Sequence, residues 1–417
     1  MVIKMKTVGI IAEYNPFHQG HLYQLEQAKL LTGATKVVVV MSGNFVQRGI
    51  PAIIDKYART KMALSHGADL VIELPVCYAT ASAEAFAYAG ISILDRLGFV
   101  DYVCFGSECG DIKLLEHLAD ILVEEPTSYQ LELKKELKTG LSFPKARTKA
   151  LLYYIKGKES KGYDQTSLEL LLNSPNNILG IEYMKAIRKR KSKLRAITIK
   201  RQGAGYHDSD ISLPNASATA IRNVLVEDDL FSLPKDLPVE TMTILKQEFQ
   251  KTYPIFRNDF TSLLYYKLSM VKEKDLTSYA DVTPELANRI INNLTYAKTY
   301  DDFCLSLKTK ELTLTRINRG LLHVLLSIPK TQNIEVSYAR ILGFRTDATK
   351  LLRTATKENR IPLIVKTANA KQLLNQEEYE LFEQDVRATH LYHQMIFQKF
   401  HTYFSDEYTH GPVILKE

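Results

Sequence analysis

Cysteine is scarce in this sequence of 417 residues: Cys77, Cys104, Cys109 and Cys304 are too few and too scattered for a disulfide framework. A reducing compartment is the simpler expectation. Long apolar runs are missing too. Uncharged stretches such as residues 37–47 and 74–83 stop well short of the roughly 18 apolar residues that span a bilayer. At the N-terminus the apolar run 8–12 meets Glu13 at once, so no signal-peptide core of about 7 residues can form. No membrane partner and a cytoplasmic location are therefore expected. Neither the Gly-x-Gly-x-x-Gly fingerprint nor the Gly-x-x-x-x-Gly-Lys-Ser/Thr loop occurs, which excludes an ordinary dinucleotide dehydrogenase and a P-loop NTPase. Internal repeats and low-complexity tracts are absent.

What is present is the composition of a folded chain, with 45% hydrophobic and 24% charged residues. The length suits two or three domains, each able to bury its own core. Lysine and arginine number 54 against 47 acidic residues, a net +7 that permits a polyanionic partner without demanding one.

Short β-branched runs at 7–12, 36–41, 69–74 and 101–105 alternate with stretches at 20–31, 56–66 and 83–97 whose apolar residues recur every three or four positions. Strands buried on both faces with crossover helices predict an α/β fold, a Rossmann-like doubly wound parallel sheet. A last strand of that sheet is expected at 194–200, after a helix over 177–191. Residues 1–230 are thus read as one catalytic domain, with a helical insertion at about 111–172. The segment 233–238 (LPKDLP) reads as a linker. Residues 239–417 read as a mainly helical region, with helices near 240–252, 283–295 and 312–326 and a short strand near 361–366. Thr283 before Pro284 is a natural helix start.

The first strand runs into Glu13-Tyr-Asn-Pro-Phe-His-Gln-Gly-His21, with a helix starting near Gly20. Open parallel sheets bind ligands beyond the carboxyl ends of their strands, where the next helix offers unpaired N–H groups to an anion. Gly20 lets a phosphate approach the backbone, and His18 and His21, three residues apart, can both turn toward it and donate hydrogen bonds. Taken singly, either histidine reads as a cap or a surface residue. Zinc does not fit the pair, because the His-Glu-x-x-His pattern of helical zinc sites is not met.

The His-x-Gly-His pattern after an Asn-Pro-Phe turn resembles the signature of the nucleotidyltransferase superfamily, whose members attack the α-phosphate of ATP and release pyrophosphate. A second signature of that superfamily, Ser-x-Thr-x-x-Arg, matches Ser217, Thr219 and Arg222. Ser217 and Thr219 suit a helix N-terminus facing phosphate, and Arg222 brings a permanent charge to the leaving pyrophosphate.

Four runs, 8–22 (VGIIAEYNPFHQGHL), 41–49 (MSGNFVQRG), 105–108 (FGSE) and 174–183 (SPNNILGIEY), resemble the bacterial tRNA(Met) cytidine acetate ligase family, and the likeness covers nearly the whole chain. That resemblance implies activation of acetate with ATP as acetyl-adenylate, then acetylation of the wobble cytidine of elongator tRNA(Met), without acetyl-coenzyme A. It implies an ATP site lined by Ile11, Ala12, Glu13, Tyr14, Asn15, Pro16, Phe17, His18, Gln19, Gly20, His21, Leu22, Tyr23 and Gln24. Gly106, Asn177 and Arg201 complete that site, with Asn176 and Gln202 beside them. His18, His21 and Arg222, with Mg²⁺, would neutralise the triphosphate, and no covalent nucleophile is required.

An RNA substrate calls for basic surface. Residues 185–201 hold nine basic residues and no acid, although a solvated helix end would read the same way. A second set, Arg340, Arg345, Lys350, Arg353, Lys357 and Arg360, is interleaved with Tyr338 and Phe344, a pattern that suits phosphate tracking with base stacking. Two other functions remain open on the residues alone. One is an adenylyltransferase acting on a small phosphate-bearing acceptor, against which the helical extension weighs. The other is an RNA-binding protein holding ATP without turnover, against which His18, His21 and Arg222 weigh together.

Overall fold

The computed structural model describes residues 5–158, 165–201, 217–226, 233, 237–295, 298–330, 335–358 and 360–416. Five parallel strands form most of the sheet: β1 (Thr7–Ala12), β2 (Lys36–Ser42), β5 (Leu70–Leu74), β6 (Tyr102–Ser107) and β7 (Arg195–Lys200). They stand where the periodicity predicts. Two short strands, β3 (Phe45–Val46) and β4 (Ile50–Pro51), make a separate hairpin beyond the end of β2.

The apolar alternation explains the layering. Val38 and Val40 join Phe86, Leu115 and Ile181 in one core, on the face covered by helices Ala83–Arg96, Ile112–Glu124 and Pro175–Lys189. Val37, Val39 and Met41 join Leu25, Met62 and Ile221 in another, under helices Gln19–Thr32, Lys56–Ser65 and Ala218–Val226. Every residue of this run from Val37 to Met41 is fully buried, and each such side chain contributes roughly 1.5–3 kcal/mol of transfer free energy. Helix Ala83–Arg96 approaches β1 closely because two glycines face it and lie on it. A Cβ on Gly9 would sit 2.6 Å from Leu94, and one on Gly90 would sit 2.6 Å from Ile11.

The sheet runs β10 (Val413–Leu415), β8 (Ala339–Arg345), β5, β2, β1, β6, β7, with β9 (Leu363–Ile364) beside β8. The expectation that the strand at 194–200 is the sheet's last is therefore corrected. Three more come from the C-terminal part: β8 (Ala339–Arg345), β9 (Leu363–Ile364) and β10 (Val413–Leu415), and β8 pairs antiparallel with β5. β8 was hidden because its sequence, Ala-Arg-Ile-Leu-Gly-Phe-Arg, carries an arginine at its second and last positions and a glycine between them. Arg340 is nonetheless buried. It pairs with Glu407 and, at 3.1 Å, with Glu73, while Lys56 binds the same two carboxylates at 3.1 and 3.0 Å. This enclosed ionic cluster fastens the C-terminal strands to β5 and helix Lys56–Ser65.

Four helices, Ile112–Glu124, Thr127–Lys138, Phe143–Lys158 and Gln165–Asn173, precede the crossover helix Pro175–Lys189 between β6 and β7. The remainder of the chain is mainly helical, from Val239–Glu248 to Gln376–Phe400, and Thr283 caps helix Pro284–Asn293 through Leu286 N–H. Among the described residues, no helix is long and apolar enough to cross a membrane. Gln202 and residues 234–236 of the predicted linker lie outside the described residues.

Candidate active site

β1 lies at the switch point of the sheet, with β2 on one side and β6 on the other, so a crevice opens beyond its carboxyl end. Glu13 and Tyr14 turn the chain there, Tyr14 in the left-handed region at φ 48°. Buried rings hold the turn. Tyr14 meets Phe17 edge-on at 4.8 Å, and Phe17 stacks on His66 at 4.9 Å. Asn15 Oδ1 accepts the Ile53 N–H at 2.7 Å, and Pro16 is buried beside it.

His18 caps helix Gln19–Thr32. Its Nδ1 accepts the Gly20 N–H at 3.0 Å, and its own N–H donates to His21 Nδ1 at 3.2 Å, a reciprocal cap built from two imidazoles. Backbone N–H groups only donate, so both Nδ1 atoms are unprotonated acceptors, and in the neutral rings the proton sits on Nε2. The rings lie nearly parallel, 3.7 Å between centroids. Gly20 makes room for them, since a Cβ there would stand 3.0 Å from His18 Cε1. Burial, then the positive charges of Arg201 and Arg222, push the His18 pKa down to about 3. Burial, then His18 and Arg201, hold His21 well below the usual histidine value. Both rings are therefore neutral at physiological pH and offer N–H donors instead of the positive charge expected from sequence.

Arg222 connects the two motifs. Its Nη1 donates to Asn15 O at 2.7 Å across 207 residues of sequence, and its Nη2 donates to Thr219 Oγ1 at 3.0 Å. Ser217 Oγ accepts the Ala220 N–H at 3.1 Å and so caps the helix that carries Arg222. Arg201 follows β7, its N–H bound to Ser107 O at 2.9 Å, and its side chain lies over Gly106. A Cβ on Gly106 would be 3.3 Å from Arg201 Cγ.

Asn176 and Asn177 stand at the start of helix Pro175–Lys189. Glu108 accepts both of their backbone N–H groups, at 3.2 and 2.8 Å, and the Asn176 side chain at 2.7 Å. Asn177 Oδ1 accepts the N–H groups of Glu108 and Cys109 at 3.0 and 3.1 Å, and its Nδ2 donates to Leu171 O at 3.1 Å. This buried amide shapes the turn after β6. The rest of the first segment supports the crevice from its flanks. Ile11 and Ala12 belong to β1, and Leu22 and Tyr23 pack half-buried against the second core. Gln24 Nε2 reaches Cys104 O at 3.4 Å, and Gln19 is half-buried at the first helical position.

Sequence reasoning missed Arg59. Fully buried on helix Lys56–Ser65, it donates to Ile54 O at 3.0 Å, Glu13 O at 2.7 Å, Ser42 O at 2.9 Å and also to Gly43 O. One guanidinium thus ties the carboxyl ends of β1 and β2 together under the crevice. No local pattern marks it, because its partners are backbone carbonyls.

The basic runs divide differently from the expectation. In the first, Lys185, Arg188, Lys189 and Arg190 are engaged by Glu84, Glu182, Asp120, Asp95 and Glu335. In the second, Arg340 is enclosed in the ionic cluster, and Tyr338 and Phe344 are buried, so neither ring is placed to stack on a base. Lys350, Arg353 and Lys357 are exposed along helix Thr349–Glu358, with exposed Arg360 just beyond. Spacings of three and four place the first three on one face. Among the described residues, no three His, Cys, Asp or Glu side chains group as a metal site.

The sheet, the paired histidines at a helix N-terminus and the arginine bound to the turn before them define a nucleotidyltransferase, and the chain matches the HIGH Nucleotidyl Transferase family over residues 5–407. The tRNA(Met) cytidine acetate ligase of Alkaliphilus metalliredigens is 41% identical, with 93% of this chain and 94% of the relative covered. That of Acetivibrio thermocellus is 42% identical over the same shares. The crystal structure of Thermotoga maritima TmcAL superposes with a TM-score of 0.93 at 34% identity, covering 99% of this chain and 100% of that one. A second structure of that protein, bound with alpha-thio ATP, gives 0.91 at 33% identity over the same shares. The chain belongs to the tRNA(Met) cytidine acetate ligase family, as the four sequence runs imply.

Proposed function

We propose that this protein joins acetate to ATP as acetyl-adenylate, releases pyrophosphate, and transfers the acetyl group to the exocyclic amine of the wobble cytidine in elongator tRNA(Met). The single observation that carries the ATP step is the neutral His18–His21 pair at a helix N-terminus, with Arg201 and Arg222 close enough to depress the His18 pKa. Two Nε2–H donors, the helix N-terminus and two guanidiniums suit a triphosphate, and each charge-assisted hydrogen bond contributes about 1.5–3 kcal/mol. Support for acetate and for tRNA comes from relatives named for that reaction.

In the first step an acetate oxygen forms a bond to the α-phosphorus, and the bond to the bridging oxygen breaks with its electron pair leaving on pyrophosphate. Donors fixed before the reaction stabilise the charge that gathers on the phosphoryl oxygens. In the second step the cytidine amine attacks the acetyl carbonyl, AMP leaves, and the amine loses a proton. The base must be splayed from its stack to reach that carbonyl. Glu13 and Glu108 already accept backbone hydrogen bonds, so Mg²⁺ fits as an ion carried by the triphosphate, where it would supply further charge neutralisation.

In this reading residues 1–230 build the adenylate and residues 239–417 help to hold the tRNA, with Lys350, Arg353, Lys357 and Arg360 facing its phosphates. ATP and tRNA place the reaction in the cytoplasm. Incubation with labelled acetate, ATP, Mg²⁺ and unmodified bacterial tRNA, followed by digestion, should yield labelled acetylcytidine. An ATP-free control and His21→Ala should yield at least about a hundredfold less, the scale on which losing one preorganised donor acts. Label that appears equally without ATP would sink the proposal.

A further inference from the structure

The net charge of +7 is concentrated in one place. Residues 127–158 hold eight lysines and arginines against two glutamates, a net +6, so the rest of the chain is almost neutral. They form two packed helices of the insertion, Thr127–Lys138 and Phe143–Lys158, joined by a short link. Tyr129, Leu151, Leu152 and Ile155 turn inward to the first core, which leaves the charged faces outside. Both glutamates are already engaged, Glu132 by Lys135 at 2.9 Å and Glu136 by Lys149 at 3.0 Å across the pair. Arg147 pairs with Glu182 of helix Pro175–Lys189 at 2.7 Å. Lys134, Lys138 and Lys145 are exposed and make no ion pair among the described residues.

Lysines three and four residues apart on one helix face repel each other and weaken the helix. Lys134 and Lys138 share a face of the first helix, and Lys145, Lys149, Tyr153 and Lys156 recur at that spacing along the second, all exposed. A surface that serves solubility alone mixes both signs. Three unpaired lysines on one small hairpin instead suit a partner that brings the missing negative charge. Tyr153 is 55% exposed, with Lys135 Nζ 6.0 Å from its ring centre, so a stacking surface lies among the ammonium groups. The insertion is also rooted beside the crevice at both ends. Helix Ile112–Glu124 starts directly after the turn that Asn177 holds, and Leu171 O, near the end of the insertion, accepts Asn177 Nδ2–H. At 1.5 Å per residue that helix carries the basic pair roughly 20 Å from the turn. About six stacked nucleotides, at roughly 3.4 Å each, cover the same distance.

We infer that the helical hairpin 127–158 is a second RNA-holding arm, built into the catalytic domain, that grips the phosphate backbone of the tRNA while one base occupies the crevice. The inference rests on the tRNA reading above and adds to it a surface on the opposite side of the chain from residues 239–417 in sequence. Filter binding of tRNA across a salt series tests it, with Lys134, Lys138 and Lys145 replaced together by glutamine and, in a second protein, together by arginine. The glutamine variant should bind tRNA at least about tenfold more weakly at 0.1 M salt, and its plot of log affinity against log salt should be shallower by about 2–3. The arginine variant should keep the slope of the unsubstituted protein. Contacts to phosphate carry no sequence information, so the loss should be equal for tRNA with cytidine and with uridine at the wobble position. Acetate-dependent exchange of labelled pyrophosphate into ATP should continue in both variants, which reports an intact catalytic domain.

Unchanged affinity and slope in a glutamine variant that still exchanges pyrophosphate would overturn the inference. So would a loss confined to the cytidine-bearing tRNA, which would assign the hairpin to base recognition, or a loss of exchange along with binding, which would assign the lysines to the fold. Binding to phosphatidylserine vesicles that the glutamine variant loses, with tRNA affinity unchanged, would give the face to a membrane surface and overturn it as well. Failure of the unsubstituted protein to bind tRNA is a separate result, which removes the tRNA reading and this inference together.

Discussion

His18 and His21 cap one helix through each other: the N–H of His18 donates to His21 Nδ1, while His18 Nδ1 takes the N–H of Gly20. Paired rings 3.7 Å apart would repel strongly if both were charged, and burial beside two arginines keeps them neutral. The site is thereby set to donate protons in hydrogen bonds without carrying a charge of its own on the imidazoles.

A pH dependence follows. The folded His18 pKa of about 3 lies below the ordinary 6.5, so between those values the unfolded chain binds more protons and stability rises with pH. Acidification from pH 7 to 5 should remove about 2 kcal/mol through His18 alone. Urea midpoints at the two pH values should converge more closely for His18→Gln than for the unsubstituted protein. Nitrogen-15 imidazole spectra of the free protein should keep both rings as the Nε2–H tautomer from pH 8 to 5. A titration near 6.5 in either ring would contradict the neutral pair.

Arg59→Met should be more damaging than its distance from any phosphate-binding group suggests. It leaves the carbonyls of Glu13, Ser42, Gly43 and Ile54 without their guanidinium partner. Orphaned buried acceptors cost roughly 1–3 kcal/mol each before relaxation, so chemical denaturation should register a loss of at least about 3 kcal/mol. A loss below 1 kcal/mol would mean that the two strand ends hold together without it.

The two basic runs should separate cleanly. Replacing Lys350, Arg353 and Lys357 with glutamine should weaken tRNA binding at least tenfold and flatten its salt dependence, while pyrophosphate exchange into ATP stays unchanged. Arg190→Gln should instead lower stability, because it releases Glu335 and Asp95, and should leave tRNA affinity nearly intact. Filter binding across a salt series and thermal unfolding on the same proteins distinguish the outcomes.

Arg340→Met should cost about 3–5 kcal/mol, since Glu73 and Glu407 would then share Lys56 as the one cation of the buried cluster. The expected readout is a lower denaturant midpoint with an unchanged slope. An unchanged midpoint would mean that Lys56 suffices for both carboxylates.

These cases also mark what could be read in advance. The turn from Glu13 to His21 was legible because its parts are neighbours in sequence, whereas the neutrality of its two histidines was not, since it comes from burial and from Arg201 far along the chain. The central strands were legible because they are apolar on both faces. Arg59, Arg340 and Tyr338 were not, since a charge or ring enclosed by distant partners has the same local pattern as one in water. Arg340 finds Glu407 at a separation of 67 residues and Glu73 across most of the chain. Asn177 stands between these extremes: its position was legible, but its bonds to the turn after β6 depend on Glu108 and Cys109.

The antiparallel seam between β5 and β8 sets a delay in the life of each newly made molecule. β5 ends at Leu74, but the strand that covers its outer edge begins only at Ala339. At about 5–20 residues per second, roughly 10–50 s of synthesis separate the two. Throughout that interval the nascent sheet carries an open, apolar margin, the surface on which neighbouring chains join edge to edge. Escape from aggregation then depends on what shields that margin on the ribosome, well before any histidine meets a nucleotide.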